Sequence, residues 1–401
     1  MSRLVLVTGG AGFIGSHLVD ALLARGDRVR VLDDFSSGRR KNLAHCLADI
    51  ELLEGDVRDP GLVGRAVAGC DGVLHEAAVA SVTRSLEDPV GAGSVTHGGT
   101  VNVATLARRA DVGGFVLASS CAVYGDTDVL PIGEDSPLRP LSPYALAKLL
   151  SEGVCHSRAS RPADGLSEAH RGSSEVDEDS FWGQQRSCGA MRAVCLRYFN
   201  VYGPRQDPSS EYSGVIARFM DVAAARGRGD GDDARAGVGE GSPYVVYGDG
   251  RQSRDFVFVT DVVAANLLAL DACLGGRSVD GVAGEDVDGA AMKVDGAVVE
   301  VDGAVVNVGT GVRVDVLQII GEIERLSGTQ AQEMGEAAGA AGPAAGGAPI
   351  DFRPPRDGDI RASQADIARA RRLLGYEPAV SFADGLAKTY DWYVANGAGV
   401  S

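Results

Sequence analysis

Short apolar and β-branched runs alternate with amphipathic stretches between residues 3 and 128. Candidate strands lie at residues 4–7, 29–32, 50–53, 73–74 and 115–118. Amphipathic segments long enough for helices lie between them, among them residues 16–25 and 101–109. Strands that alternate with helices in this way predict βαβ units around a parallel sheet. We therefore expect a doubly wound α/β fold.

Stretches of a different composition interrupt the rest of the chain. Gly, Asp, Ser and Ala dominate residues 157–190, 224–243, 274–304 and 329–349. Such segments bury too little apolar surface to offset the entropy lost on ordering, so they are predicted to be surface insertions. The phrase Val-Asp-Gly-Ala recurs around residues 294–305, and compositional bias explains it as well as a structural repeat does.

Composition and charge narrow the possible partners. The 401 residues predict one large α/β domain with a smaller companion. No run of about eighteen apolar residues occurs, and the start of the chain has no signal-peptide pattern, so we expect a soluble cytoplasmic protein without a membrane span. The net charge of -17 is spread along the chain and disfavours nucleic acid and acidic membranes. Seven cysteines without a CxxC spacing and scattered histidines predict neither a disulfide framework nor a metal site.

A glycine-rich turn follows the first candidate strand and opens the first candidate helix. Gly9, Gly12 and Gly15 have the spacing GxxGxxG. Glycine at such positions allows a tight turn, close approach of a pyrophosphate and close packing of the helix on the strand. Glycine-rich turns also serve packing alone, but the strand–turn–helix context favours a dinucleotide site.

Acidic residues at the ends of the next two strands extend this site. Asp33 ends the second strand, where a carboxylate accepts both ribose hydroxyls and repels a 2'-phosphate, which favours NAD over NADP. The alternative is a turn or helix-capping residue. Asp56 and Val57 follow the third strand and are expected beside the adenine, whereas Asp59-Pro60 is typical of a helix start.

Candidate catalytic residues follow the strand at 115–118. Ser120 lies at its carboxyl end, where open parallel sheets bind ligands. Tyr144 and Lys148 are one turn apart on a predicted helix. A nearby ammonium lowers a tyrosine pKa towards the working pH, as a general base requires. A YxxxK spacing alone is more often incidental, but together with the glycine turn and Asp33 it indicates a catalytic pair.

Longer motifs carry a family resemblance over nearly the whole chain outside the insertions. They are GGAGFIGSH (9–17), HEAA (75–78), SSCAVYG (119–125), SPYALAK (142–148), LRYFNVYGPRQDP (196–208), GDGRQSRDF (248–256), NVGTG (307–311) and RDGDI (356–360). In this order they resemble the extended short-chain dehydrogenases/reductases, and among these the NAD-dependent UDP-sugar 4-epimerases. The resemblance implies a Rossmann domain with a smaller, partly interleaved α/β domain that binds the substrate.

The resemblance also implies domain limits and an assembly. Residues 1–198, with the insertion at 157–190, and a returning segment at 255–310 would bind NAD. Residues 199–254 and 311–401 would bind the nucleotide sugar. A homodimer is implied, formed through a four-helix contact that includes the Tyr144 helix.

The resemblance implies a role in the reaction for each of the three candidate catalytic residues. Tyr144 would be the acid/base, Lys148 its electrostatic partner and a ribose ligand, and Ser120 would hydrogen-bond the reacting oxygen. Hydride would pass from sugar C4 to NAD and return to the other face of the ketone, without net redox. The residues expected at the cofactor are Gly9, Gly12, Phe13, Ile14, Gly15, Asp33, Asp34, Ser36, Ser37, Gly38, Asp56, Val57, Ala77, Ala78, Ser119, Tyr144, Lys148 and Tyr198.

The implied substrate residues suit a diphosphate and a uracil. Arg254 and Arg356 match phosphate-binding arginines, whose guanidinium groups fit the diphosphate oxygens. Asn200 matches a diphosphate or sugar ligand, Tyr247 an aromatic residue against uracil, and Asp359 a ribose contact. The full substrate set is Ser81, Arg84, Ser120, Asn200, Val215, Tyr247, Arg254, Arg356, Asp359 and Ser363.

Departures within the family narrow the expected reaction. Cys121 and Ala122 stand where dehydratases carry an Asp-Glu pair, so elimination lacks its acid. Ser363 matches a gatekeeper that is Tyr in enzymes confined to plain hexoses and small in those that accept N-acetyl sugars. We therefore expect UDP-GlcNAc and UDP-GalNAc as substrates, together with UDP-Glc and UDP-Gal. The alternatives are a UDP-glucuronate 4-epimerase or decarboxylase, for which Arg84 is the candidate carboxylate ligand, and a non-catalytic NAD-binding sensor.

Overall fold

The computed structural model describes residues 2–156, 191–207, 214–227, 242–275, 291–294, 297–328, 349–355 and 360–396. Its strands, in chain order, are β1 Leu4–Thr8, β2 Arg28–Asp33, β3 Ile50–Glu54, β4 Gly72–His75, β5 Gly114–Ser120, β6 Arg192–Tyr198, β7 Asn200–Tyr202, β8 Tyr244–Tyr247, β9 Ser253–Phe258, β10 Ala291–Val294, β11 Ala297–Glu300, β12 Ala304–Val308, β13 Arg313–Asp315 and β14 Ile350–Arg353. Its α-helices are α1 Phe13–Ala24, α2 Pro60–Val67, α3 Val82–Glu87, α4 Pro89–Gly93, α5 Gly99–Arg109, α6 Pro143–His156, α7 Val215–Gly227, α8 Val259–Cys273, α9 Val316–Leu326, α10 Ala368–Leu374 and α11 Phe382–Asn396.

Seven parallel strands form the central sheet, in the order β12-β6-β5-β4-β1-β2-β3. The chain adds β2 and β3 on one side of β1 and then crosses to add β4, β5 and β6 on the other. The carboxyl ends of β1 and β4 therefore flank the point where the strand order reverses, which is where open α/β sheets bind ligands. The predicted doubly wound sheet is confirmed.

Helices cover both faces of this sheet because its strands are apolar on both sides. All five residues of β1 are buried. Helices α1 and α8 share an apolar cluster on one face, and α2, α5 and α6 share another on the opposite face. The Asp59 carboxylate accepts hydrogen bonds from the Gly61 and Leu62 amides at the start of α2, which confirms the predicted helix start. None of the described helices is both long and apolar enough to cross a membrane.

A smaller unit packs beside the carboxyl end of the sheet. It contains the three-stranded sheet β13-β9-β7 and the pair β14-β8, with α7, α9 and α11 packed around a separate apolar cluster. The chain leaves the central sheet after β6 and returns with α8 and β12, so the two units are interleaved. The predicted returning segment at 255–310 begins within the smaller unit, because residues up to Phe258 belong to β9.

The predicted insertion at 274–304 is described in part, and the described part contains regular secondary structure. Strands β10 and β11 form an antiparallel hairpin with Val294 paired to Ala297, and Val301 is buried. Gly303 has a positive φ of 73° just before β12. The Asp-Gly residues at 295–296 lie outside the described residues. The insertion at 157–190 lies outside the described residues, as do 228–241 and 329–348.

Candidate active site

The glycine turn after β1 has room only for glycine at two positions. Gly9 has a φ of 68°, and a Cβ there would lie 2.9 Å from the Ala77 nitrogen. A Cβ on Gly15 would lie 2.2 Å from the Gly9 carbonyl oxygen. Gly12 precedes α1, and no side chain caps this helix. The uncapped amides and the close turn fit a cofactor pyrophosphate, as the sequence predicts.

Gly15→Ala is expected to weaken NAD binding roughly 10- to 100-fold, because the added methyl group must push the Gly9 carbonyl out of the turn. Isothermal titration with NAD measures the effect. Gly64→Ala is the matched control, since a Cβ at this site in α2 meets nothing within 4 Å. Equal NAD affinity in the Gly15 variant and the control would contradict this account of the turn.

Asp33 is placed for the ribose role predicted for it. One carboxylate oxygen accepts the Ala11 amide at 2.9 Å, and the other accepts the Phe35 amide at 2.8 Å. These two amides orient the carboxylate and lower its pKa, but burial outweighs them and raises it. Gly38 packs directly on this carboxylate, where a Cβ would lie 2.7 Å from Oδ1.

Most of the remaining predicted cofactor residues follow the carboxyl ends of β1 to β4. Phe13 and Ile14 form the first turn of α1. Asp34, Ser36 and Ser37 follow β2, and Ala77 and Ala78 follow β4. The Asp56 carboxylate is held by the Arg58 guanidinium, which lowers its pKa, and Val57 is buried with its carbonyl oxygen bonded to Asn102. Arg58 and Asn102 were not anticipated from the sequence.

Ser120, Tyr144 and Lys148 meet above the end of β5. Burial raises the pKa of Tyr144 to about 12, and a hydrogen bond with Ser120 opposes the shift. The Lys148 ammonium donates to the Ala118 carbonyl oxygen at 2.6 Å, and burial lowers its pKa to about 8. From the sequence, Lys148 was expected to lower the pKa of Tyr144. In the structure, the contact that lowers this pKa is the hydrogen bond with Ser120.

The catalytic helix is fixed by partners that sequence reasoning missed. Ser85 of α3 accepts the Tyr144 backbone amide at 3.1 Å. One turn beyond Lys148, Glu152 forms a fully buried ion pair with Arg197 of β6, with donor–acceptor distances of 2.7 and 2.9 Å. Ser119, predicted as a cofactor residue, donates its hydroxyl to Glu152 instead.

This buried pair extends into a longer network. Arg197 also donates to the Tyr124 hydroxyl at 2.9 Å, and Tyr124 donates to Asn307 of β12 at 2.6 Å. The network therefore joins α6 to two strands of the central sheet. It holds the helix that carries Tyr144 and Lys148 at a fixed height above β5.

Several predicted substrate residues come from the smaller unit. Asn200 lies on β7, paired in register with Phe256 of the neighbouring β9. Arg254, also on β9, acts electrostatically on Cys121 at the end of β5 and lowers its pKa, although burial raises that pKa to about 12. A predicted phosphate ligand thus lies close to the catalytic end of the sheet. Tyr247 ends β8 and Val215 begins α7, both half-buried.

Ser363 lies on a segment that is tied to β9. Its amide donates to the Ser253 carbonyl oxygen at 3.0 Å, and its side chain is 5% exposed. The buried Ser363 hydroxyl has no hydrogen-bond partner among the described residues. Asp255 holds the surrounding backbone by accepting the amides of Thr310, Gly311 and Ala365.

The other predicted substrate residues are placed less directly. The Ser81 side chain caps α3 by accepting the Arg84 amide, and the Arg84 side chain is exposed. Arg356 and Asp359 lie outside the described residues.

Comparison with known proteins places this architecture in a family. Residues 5–280 match the sequence model of the NAD dependent epimerase/dehydratase family. The chain belongs to this family. The UDP-glucose 4-epimerase of Mycolicibacterium smegmatis is 36% identical over 392 residues, which cover 97% of each protein.

Other epimerase/dehydratase relatives differ in their named reaction. The solved structure of the UDP-N-acetylglucosamine 4-epimerase of Methanobrevibacter ruminantium, in complex with UDP-N-acetylmuramic acid, is 27% identical, with a TM-score of 0.71 and 99% coverage of both chains. UDP-glucuronic acid decarboxylase 2 of Arabidopsis thaliana is 28% identical over 95% of this chain and 66% of its own length.

The cofactor of this epimerase/dehydratase is NAD, as the sequence predicts. The glycine turn would hold its pyrophosphate and Asp33 its adenosine ribose. One described cluster, Asp20 with His45 and Cys46, has the composition of a metal site. Its Asp20 already pairs with His45 and Arg205, so we assign no metal there.

Proposed function

We propose that this protein is a UDP-hexose 4-epimerase that interconverts UDP-GlcNAc and UDP-GalNAc and also accepts UDP-Glc and UDP-Gal. The observation that carries the proposal is the meeting of Ser120, Tyr144 and Lys148 at the end of β5, beside a turn suited to NAD. The named activities of the epimerase relatives support the same reaction.

In the proposed reaction, bound NAD supplies the acceptor and donor of the hydride at sugar C4. Tyr144 takes the proton of the 4-hydroxyl and later returns it to the 4-keto oxygen. Ser120 hydrogen-bonds that oxygen and orients the Tyr144 phenol. Lys148, with a pKa of about 8, keeps most of its positive charge at neutral pH and would bind the ribose of the cofactor through its ammonium group. Cys121, held neutral by its raised pKa, offers no acid for elimination.

The preference for N-acetyl sugars follows from Ser363. A serine leaves space that a tyrosine would fill, and its buried hydroxyl has an unused hydrogen-bonding capacity that an acetamido group can meet. Arg254 beside Cys121 would bind the diphosphate of the same substrate.

Purified protein incubated with UDP-Glc, UDP-GlcNAc or UDP-GlcA, without added NAD, tests the proposal directly. Anion-exchange chromatography and NMR identify the products. Conversion of UDP-GlcNAc to UDP-GalNAc supports it. Turnover of UDP-GlcA alone would instead favour the decarboxylase or glucuronate epimerase activity, for which a decarboxylase relative gives the specific precedent.

Ser363→Tyr is expected to lower kcat/KM for UDP-GlcNAc by roughly 10- to 100-fold, because the ring occupies the space of the acetamido group. Activity on UDP-Glc should fall much less, and it serves as the internal control for folding. Both rates are measured on one enzyme preparation. Equal losses on both substrates would contradict the gatekeeper role.

We also propose that the protein forms a homodimer through the α5 and α6 face. Leu146 and Leu150 are 47% and 50% exposed, lie one turn apart on α6, and are joined by Val101 of α5, which is 39% exposed. An apolar row of this kind favours burial against a second copy. Sedimentation equilibrium should therefore give twice the 41.4 kDa mass of the chain.

A further inference from the structure

A carboxylate without an assigned role lies between the cofactor turn and the catalytic pair. Glu76 directly follows β4, and the next residue, Ala77, packs against Gly9. Its side chain reaches across the end of β5 to Tyr198, the last residue of β6, whose hydroxyl donates to Glu76 Oε1 at 2.8 Å. The half-buried Glu76 side chain is thus held at the carboxyl end of the sheet by a residue two strands away.

The contacts of Tyr198 let this carboxylate hold or release a proton. The Tyr198 hydroxyl lies 3.0 Å from Asn266 Oδ1 and 2.7 Å from Asn266 Nδ2, and that amide also donates to the Val262 carbonyl oxygen. When Glu76 is ionised, Tyr198 donates to it. When Glu76 is protonated, it donates to Tyr198, which then donates to Asn266 Oδ1. A hydroxyl can serve both roles, so neither state leaves Tyr198 without a partner.

The charge of Glu76 acts on the catalytic pair. A negative Glu76 raises the pKa of both Tyr144 and Lys148. Burial raises the pKa of Glu76 itself to about 7, while Tyr198 and Lys148 lower it in part. Its charge therefore changes near neutral pH.

Apart from Lys148, whose pKa of about 8 lies close by, the other titratable groups around Glu76 keep one charge state near pH 7. His75, the preceding residue on β4, stays neutral because burial lowers its pKa to about 3. Burial raises the pKa of Tyr198 well above its usual value. Burial also raises the pKa of the Cys121 thiol, so both groups stay neutral near pH 7. The variable charge opposite Tyr144 and Lys148 is thus that of Glu76.

We propose that Glu76 is a positioning residue of the reaction site: through its hydrogen-bond chain to Tyr198 and Asn266 it carries or gives up a negative charge beside Tyr144 and Lys148, and so sets the pH range in which Tyr144 acts as a base. The inference rests on the proposed role of Tyr144. An ionised Glu76 keeps the proton on Tyr144, and a neutral one makes the phenolate easier to form.

Glu76→Gln tests this inference without substrate. The glutamine side chain keeps the shape of glutamate and an oxygen that accepts the Tyr198 hydroxyl, but it carries no negative charge. Tyrosine ionisation is followed by ultraviolet difference spectroscopy of the NAD-bound protein, and Tyr144→Phe in each background isolates the Tyr144 signal. The Tyr144 midpoint is expected about one pH unit lower in Glu76→Gln. Glu377→Gln, which removes an exposed carboxylate paired with Arg371, is the control and should leave the midpoint unchanged.

Tyr198→Phe is the second variant. Without its hydroxyl donor, Glu76 keeps its proton to higher pH, but it is still ionised in the range near pH 12 where Tyr144 titrates. The Tyr144 midpoint should therefore stay at the wild-type value, and a fall as large as that in Glu76→Gln would count against the charge of Glu76 as its cause. An unchanged midpoint in Glu76→Gln, in protein with the melting temperature of the wild type, would overturn the inference while leaving the role of Tyr144 intact. Absence of a Tyr144 signal from wild-type protein would overturn both. Conversion of UDP-GlcNAc is measured separately and tests the proposed function alone.

Discussion

Tyr144→Phe is expected to lower kcat for UDP-sugar epimerisation by about 10²- to 10⁴-fold, because it removes the group that exchanges a proton with the 4-hydroxyl. The ring remains and fills the same space beside Ser120. KM for the UDP-sugar should therefore change little, and bound NAD should be retained. Steady-state rates, together with the NAD content of the purified protein, measure the effect.

The control for this substitution is Tyr390→Phe on α11, which removes a hydroxyl from a tyrosine far from the end of β5. It should keep full activity. If Tyr144→Phe kept more than a tenth of the wild-type kcat, Tyr144 would not be the acid/base. A loss confined to KM would give Tyr144 a binding role in place of proton transfer.

Glu152→Ala is expected to lower the free energy of unfolding by about 3–5 kcal/mol, because it leaves the Arg197 guanidinium buried without its counter-ion. Both side chains are 3% exposed, so water cannot replace the lost partner. Arg197 would also lose two charge-assisted hydrogen bonds, and Ser119 would lose its acceptor. Urea unfolding followed by circular dichroism measures the change.

A surface pair provides the contrast. Arg371 and Glu377 form a similar ion pair, but their side chains are 52% and 64% exposed. Glu377→Ala should leave the free energy of unfolding almost unchanged, because solvent screens such pairs. Equal costs for the two substitutions would show that burial of the Glu152 pair does not determine its contribution.

Much of the central sheet could be predicted from local pattern. Strands β1 and β5 are buried along almost their whole length, and helices α1, α2 and α5 separate strands that follow one another in the chain. Strand order and handedness then follow from βαβ rules. The hairpin β10-β11 was not predicted, because each of its strands has only four residues and the sequence around them is rich in Gly and Asp.

Residues of the candidate site could be predicted where they belong to a short local motif, such as one loop, one helical turn or the end of one strand. The glycine turn, Asp33, and the Tyr144 and Lys148 spacing are of this kind. Ser85, Glu76 and Arg197 act through partners 59, 122 and 45 positions away in the chain, and no local pattern records such distances. The fold alone brings these groups together.

The position of β12 at one edge of the central sheet also bears on how the protein is made. Strand β6 has β5 on one side and gains its other neighbour only when residues 304–308 arrive, after the chain has passed through the smaller unit. During synthesis on the ribosome, the edge of β6 that later pairs with β12 therefore stays without a partner strand until more than a hundred further residues have been added. A nascent chain stalled before β12 should depend on chaperones, and truncation at that point should yield aggregates instead of a stable nucleotide-binding half.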